Sequence, residues 1–332
     1  MIHENVSAVI TGGAGFIGSH LTDLLIKTGA DVTVIDNLVN GRLENLSAHT
    51  KNPRFHFVKA DIRDFSLIEP LFAGKTHVFH LAALADIVPS ITNPVAYHTA
   101  NVDGTVNVLE SIRKNGSARV VYAASSSCYG LPAVFPTSEM EPVKPQYPYA
   151  LTKYIGEQYL LHWAKVYKIP AVSLRLFNVY GSRSRTSGTY GAVFGVFLRQ
   201  KIAGTPFTIV GDGTQTRDFT FVTDVAQAFY TAAFSDVSGE IMNVGSGGHY
   251  SVNELAALIG GEKVSIPKRP GEPDCTFADT AKIKKLLNWQ PKVSFTEGVK
   301  IVLDNIDYWK NAPLWDPQSI AAETKAWFDS LS

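Results

Sequence analysis

Tyr149 and Lys153 stand four residues apart at the start of segment 149–167, whose apolar spacing predicts a long amphipathic helix. On such a helix the two side chains share a face. A phenol titrates near about 10, and an ammonium beside it favours the phenolate. The pair is thereby suited to take a proton from a hydroxyl. The spacing alone fits a solvated helix face equally well. A second feature speaks for chemistry: the apolar strand 119–123 runs into Ser125-Ser126-Ser127-Cys128-Tyr129-Gly130. That places hydroxyls at the carboxyl end of a strand, where open α/β sheets build their sites. Ser125 is expected to bond the reacting oxygen and pass its proton to Tyr149. A serine-rich turn that bonds its own backbone is the alternative.

Near the N-terminus, Thr11-Gly12-Gly13-Ala14-Gly15-Phe16-Ile17-Gly18 follows one predicted strand and opens a helix. It fits G-x-G-x-x-G from Gly13, and also a glycine at every third position from Gly12. Such a turn lets backbone amides at the positive helix end approach a pyrophosphate. Asp36 closes the second strand, 18 residues beyond Gly18. A carboxylate there accepts ribose hydroxyls and repels a 2′-phosphate, which favours NAD over NADP. The alternative is that Asp36 caps a turn with Asn37, and Arg42 is near enough to blur the preference. With NAD to accept hydride, the tyrosine–lysine pair fits the oxidation of an alcohol.

The elements that must hold these groups alternate. Strands are predicted at 6–11, 31–35, 55–58, 77–81, 119–123 and 171–176, with helices at 15–29, 101–113 and 149–167. Strands separated by helices imply parallel pairing through right-handed crossovers. The expectation is an α/β fold, a doubly wound parallel sheet (Rossmann) spanning 1–177. After Asn178 glycine and polar residues dominate. Shorter strands at 207–210 and 241–244, and helices at 223–234, 253–258 and 280–287, predict a smaller α+β substrate domain over 178–332. Pro267, Pro270 and Pro273 punctuate a loop there. A last helix at 320–328 has Trp315, Trp327 and Phe328 around it, expected as packing anchors.

Composition narrows the partners. The 332 residues carry 30 Lys+Arg and 30 Asp+Glu, so no bulk nucleic acid or acidic membrane surface is expected as a partner. Hydrophobic residues at 45% supply a core and argue against disorder. Two cysteines, Cys128 and Cys275, make neither a disulfide framework nor a zinc set, and no metal is expected. No basic segment followed by a long apolar one opens the chain, and no apolar run would span a membrane. The expectation is a cytoplasmic protein.

Eight segments then occur in order: Gly12–Gly18, Asp36-Asn37-Leu38, Asp61-Ile62, His80-Leu81-Ala82-Ala83, Asn101-Val102-Asp103-Gly104-Thr105, Ser125–Gly130, Tyr149-x-x-x-Lys153 and Arg175-Leu176-Phe177-Asn178-Val179-Tyr180-Gly181. Together they resemble the extended short-chain dehydrogenase/reductases, the NAD-dependent nucleotide-sugar epimerases and dehydratases, along nearly the whole chain. The resemblance implies tightly held NAD, contacted by Gly12, Gly15, Phe16, Ile17, Gly18, Asp36, Asn37, Asp61, Ile62, Leu81, Ala82, Ala83, Asn101, Tyr149 and Lys153. It implies a nucleoside-diphosphate sugar in the cleft. Asn178, Arg217 and Arg269 would hold the diphosphate and Glu272 the nucleoside ribose, while Ser126, Ser127 and Thr276 would face the sugar. Guanidinium forks suit phosphate oxygens. Arg217 also has Asp218 and Asp224 close in sequence as ion-pair partners.

Within this family the two residues after the catalytic hydroxyl separate the reactions. The 4,6-dehydratases carry Asp and Glu there, and the decarboxylases keep the Glu. Ser126 and Ser127 depart from both, and three serines are most similar to the UDP-sugar 4-epimerases. That implies oxidation at C4 by Ser125, Tyr149 and Lys153, turning of the 4-keto sugar, and reduction from its other face. A dehydratase, a decarboxylase, a 3,5-epimerase using Cys128, or a non-catalytic NAD sensor are the alternatives. Cys128 is read as packing. Thr276, or Cys275 one residue away, leaves room at the sugar's C2 substituent. UDP-glucose or -galactose, their N-acetyl forms and a uronate met by Arg183, Arg185 and Thr189 all stay open. A homodimer through a four-helix bundle of 101–113 and 149–167 is implied as well.

Overall fold

The computed structural model describes residues 6–116, 118–184 and 192–331. Its first half runs β1 (Ser7–Thr11), α1 (Phe16–Lys27), β2 (Asp31–Asp36), β3 (Phe55–Lys59), α2 (Phe65–Ile68), β4 (His77–His80), α3 (Ile87–Thr92), α4 (Pro94–His98), α5 (Gly104–Asn115), β5 (Arg119–Ser125), α6 (Pro148–Tyr167) and β6 (Ala171–Leu176). Then follow β7 (Asn178–Tyr180), α7 (Val193–Ala203), β8 (Phe207–Val210), β9 (Thr216–Arg217), β10 (Phe219–Phe221), α8 (Val222–Ala233), β11 (Glu240–Val244), β12 (Tyr250–Ser251), α9 (Val252–Ile259), β13 (Lys263–Ile266), α10 (Ala281–Leu287), α11 (Phe295–Asp304) and α12 (Pro317–Leu331).

Seven strands form one sheet in the order β11-β6-β5-β4-β1-β2-β3, and every pairing is parallel. Ala8, Val9 and Ile10 in β1 have no exposed surface, the continuous apolar run of a strand covered on both faces. One face buries Leu21 and Leu25 of α1 and Val225 and Phe229 of α8. The other buries Val108, Leu109 and Ile112 of α5 with Leu160 of α6. Each such side chain contributes about 1.5–3 kcal/mol by leaving water. The winding reverses between β1 and β4, so the loops after Thr11 and His80 border one crevice.

A second core, rich in aromatics, lies in the later half: Phe219 stacks on Phe295 at 5.3 Å and Phe197 on Phe207 at 4.9 Å. Two elements from beyond residue 177 join the first layer. β11 pairs with β6 from Glu240–Val172 to Val244–Leu176, and α8 packs on α1. The central sheet thus draws on both sides of that position.

The helix expected from 101 begins instead with a π-helical turn, Thr99–Asp103. Of the apolar residues of this region, Leu109 and Ile112 are buried in the sheet core and Val102 is buried, while Val106 is half-buried. α6 differs: Leu151, Tyr159, Val166 and Tyr167 are exposed, and Trp163 sits edge-on to Tyr159 and Tyr167. Among the described residues no helix is long and apolar enough to cross a membrane.

Candidate active site

A cavity of about 750 Å³ opens along the carboxyl ends of the strands and continues between the two cores. Its first wall is the turn between β1 and α1. Gly12 has φ +74°, and a Cβ there would lie 2.7 Å from the Ala82 amide nitrogen. At Gly18 a Cβ would lie 2.3 Å from the Gly12 carbonyl oxygen. Gly13 instead faces Val34 of β2, so the glycines at 12, 15 and 18 line the cavity. Phe16, Ile17, Asn37, Asp61, Ile62, Leu81, Ala82 and Ala83 line the same end. A cradle that any Cβ would fill, at a helix N-terminus, fits a dinucleotide pyrophosphate.

Asp36 closes β2 beside this turn. Its carboxylate accepts from the Ala14 amide at 3.0 Å and the Leu38 amide at 2.8 Å, capping the turn, while it also lines the cavity. Burial pushes its pKa up. Asn37 donates to Asp61 at 2.8 Å, and the Arg63 guanidinium holds the Asp61 carboxyl down at about 2. Asn101 departs from the expected cofactor contact. It is 1% exposed, and its amide is committed to the Leu84 backbone at 2.8 and 2.9 Å and to Thr152 at 3.0 Å. It ties the crevice loop to α6 and does not line the cavity.

β5 ends at Ser125, and a tight turn, Ser126–Tyr129, follows. The Ser125 hydroxyl lies 2.8 Å from that of Ser127 and accepts from the Ser127 amide at 3.2 Å. Tyr149, in the first turn of α6, lies beside Ser125, whose hydroxyl favours the phenolate. The pKa of Tyr149 is nevertheless raised, because burial outweighs that effect. This corrects the expectation that Lys153 brings it down. Lys153 is 4% exposed, with its ammonium 4.2 Å from the centroid of the Tyr122 ring. Burial lowers its pKa to about 7, opposed by Glu157 one turn further. Glu157 is itself buried and accepts from Arg175 at 2.6 and 3.0 Å and from Ser173 at 2.8 Å. A buried ion pair holds when its oxygens are satisfied in this way.

At the opposite end Asn178, Arg217, Arg269, Glu272 and Thr276 line the cavity together. Thr276 donates to the Asn178 side-chain oxygen at 2.7 Å and orients that amide. Of the two candidates beside the sugar, Thr276 faces the cavity and Cys275 does not. Glu272 joins the arginines: Arg217 donates to it at 2.7 Å and Arg269 lies 3.5 Å away. The acidic neighbours in sequence are occupied elsewhere, Asp218 by the Ser246 and Ala278 amides and Asp224 by Val293.

The remaining candidates are placed one by one. Cys128 is buried against Tyr129, Phe177 and Ala278, its thiol pushed up to about 12 by burial, in keeping with packing. Arg183 pairs with Asp23 at 2.8 Å, while Arg185 and Thr189 lie outside the described residues. Sequence reasoning missed Tyr147, whose ring stacks on Tyr149 at 6.4 Å and 7°, Tyr97, edge-on to Tyr149 at 6.4 Å, and Trp327 in the cavity wall. Only Tyr147, two residues from Tyr149, carried a local signal.

Comparison with known proteins agrees with this geometry. The profile described as the NAD dependent epimerase/dehydratase family matches residues 8–245. A UDP-glucose 4-epimerase of Mycolicibacterium smegmatis is 40% identical over 299 residues, 88% of this chain and 95% of that one. The UDP-glucose 4-epimerase of Thermotoga maritima, solved with UDP-glucose, is 35% identical with a TM-score of 0.85, covering 91% of this chain and 99% of its own. A UDP-glucuronic acid 4-epimerase of Bacillus cereus, solved with UDP-glucuronic acid and NAD, is 31% identical with a TM-score of 0.84 over the same shares, 91% and 99%. With a glycine cradle, an adjoining Ser–Tyr–Lys cluster and a match over most of its length, the chain belongs to the NAD dependent epimerase/dehydratase family, and its cofactor is NAD.

Proposed function

We propose that the protein interconverts C4 epimers of a UDP-hexose. The observation that carries this reading is the serine triplet at the end of β5. Ser125 lies beside Tyr149 and favours its phenolate, while the next two positions hold hydroxyls, which supply neither the acid nor the base that eliminating water requires. Tyr149 takes the proton of the C4 hydroxyl, relayed through Ser125, and returns it after reduction. NAD supplies reversible hydride acceptance at C4. Because burial raises the Tyr149 pKa, its ionisation depends on positive charge brought to the site when the oxidised cofactor binds.

Arg217, Arg269 and Asn178 hold the diphosphate, so the 4-keto hexose is free to turn on its linkage and present the other face. The names of the similar proteins favour uridine as the base. Thr276 leaves space at C2 for a hydroxyl or an acetamido group. Arg183 lines the cavity while paired with Asp23, so a neutral hexose and a uronate both stay within the proposal.

The test is incubation with a panel of UDP-, dTDP-, GDP- and CDP-sugars, with products read by proton NMR. A C4-epimeric mixture from a UDP-hexose is expected. Accumulation of a 4-keto-6-deoxy sugar or of a pentose product would overturn the reading.

A further inference from the structure

Trp327 sits on α12 among Ile320 and Thr324, the face that packs against α3, and only 4% of it is exposed. It is more than a packing anchor. Its indole N–H donates to the Pro270 carbonyl at 2.7 Å, and the Arg269 guanidinium lies over its ring at 5.4 Å. One turn along, Leu331 is placed so that a Cβ at Gly271 would stand 3.7 Å from its Cδ1. The same indole is also tilted at 53° to the ring of Tyr147, with ring centroids 6.4 Å apart. Tyr147 in turn stacks on Tyr149, its ring 7° from parallel. One side chain thus joins the loop that carries Arg269 and Glu272 to the aromatic shelf of the catalytic tyrosine.

That loop has no regular secondary structure and turns through Gly271 at φ +69°. A guanidinium on such a loop needs support to hold one geometry, and a flat ring under its face provides it.

We propose that Trp327 is a substrate-positioning residue. Through it α12 fixes Arg269 and Tyr147 in the arrangement that grips a nucleoside-diphosphate sugar. This rests on the function proposed above.

The experiment uses the full-length, NAD-loaded protein, with Trp327→Ala and Trp327→Phe. UDP, dTDP, GDP and CDP are titrated by calorimetry, and kcat and KM are measured on the sugar that turns over. Trp327→Ala is expected to bind the preferred diphosphate about tenfold more weakly, with KM raised alike and kcat within about threefold. NAD content and Tm should stay at wild-type values. Trp327→Phe keeps a ring under Arg269 but loses the bond to Pro270, so its affinity should fall between the two. Wild-type affinity in both variants would overturn the inference. So would loss of NAD and Tm in step with affinity, since that marks a merely structural role. Should Trp327→Ala not fold, unchanged affinity in Trp327→Phe would also sink it. Failure of the wild-type protein to bind any of the four diphosphates would instead overturn the proposed function itself.

Discussion

Tyr149 carries the chemistry in an environment that works against its ionisation. Desolvation raises its pKa and the Ser125 hydroxyl is the group that counters it. Removing the phenol oxygen deletes the proton acceptor and leaves the ring stack with Tyr147 intact. Tyr149→Phe is therefore expected to lower turnover about a thousandfold with NAD still bound, since acid–base catalysis contributes about 10²–10⁴. Steady-state rates and the nicotinamide content of the purified variant check this. Lys153 gives a pH signature. Its folded pKa is lowered to about 7, below the unfolded value, so between the two the unfolded chain binds more protons. Stability then rises with pH through that window, and the charged lysine destabilises fully below it. The Tm of the wild type should gain on that of Lys153→Met as pH is raised from about 7 to 10. A flat difference across that range would contradict the assignment.

At the scale of elements, the turn between β1 and α1 governs cofactor binding. Its backbone passes so close to itself that a Cβ at Gly18 would stand 2.3 Å from the Gly12 oxygen. Gly18→Ala must push the helix away from the strand, at a cost of about 1–3 kcal/mol. Loss of bound NAD together with a lowered Tm is expected, measured by absorbance of the extracted nucleotide and by calorimetry. This turn was legible in the sequence because everything that makes it is local: glycines at fixed intervals, a strand before and a helix after. The same holds for Ser125, Tyr149, Lys153 and Asp36. What was not legible is built across long separations. Glu272 meets Arg217, 55 residues distant, and Trp327 meets Pro270, 57 residues distant, through folding of the later half. The Asn101 motif gives its position but not the direction of its amide, which the π-helical turn aims at Leu84. The depression of the Tyr149 pKa was overestimated because burial has no sequence signature.

For the whole molecule, the exposed surface of α6 is the feature that points beyond one chain. Tyr159 and Tyr167 are 36% and 42% exposed in line with Trp163, an aromatic stripe that a second copy would cover. Arg113 lies over Tyr167 at 5.3 Å and bonds Glu110, which also accepts from Trp163, so charged groups rim the stripe. We propose a homodimer through α6, with α5 contributing its polar rim instead of apolar residues. Size-exclusion with light scattering should give twice the chain mass, and Tyr159→Glu with Tyr167→Glu should give the monomer with its Tm nearly unchanged. A wild-type monomer at micromolar concentration would refute the proposal.

The return of β11 to the edge of β6 has a bearing on how the protein is made. A ribosome delivers β6 more than sixty residues before the strand that completes its hydrogen bonds. During that interval a buried-type apolar strand faces water or a chaperone with one edge unpaired, the condition under which nascent chains aggregate. A product halted near residue 180 should therefore be insoluble despite holding the entire glycine turn and the catalytic tyrosine, whereas one ending after α10 has its sheet closed. Expressing the two lengths and comparing their soluble fractions makes the difference visible, and equal solubility would mean that β6 tolerates an open edge.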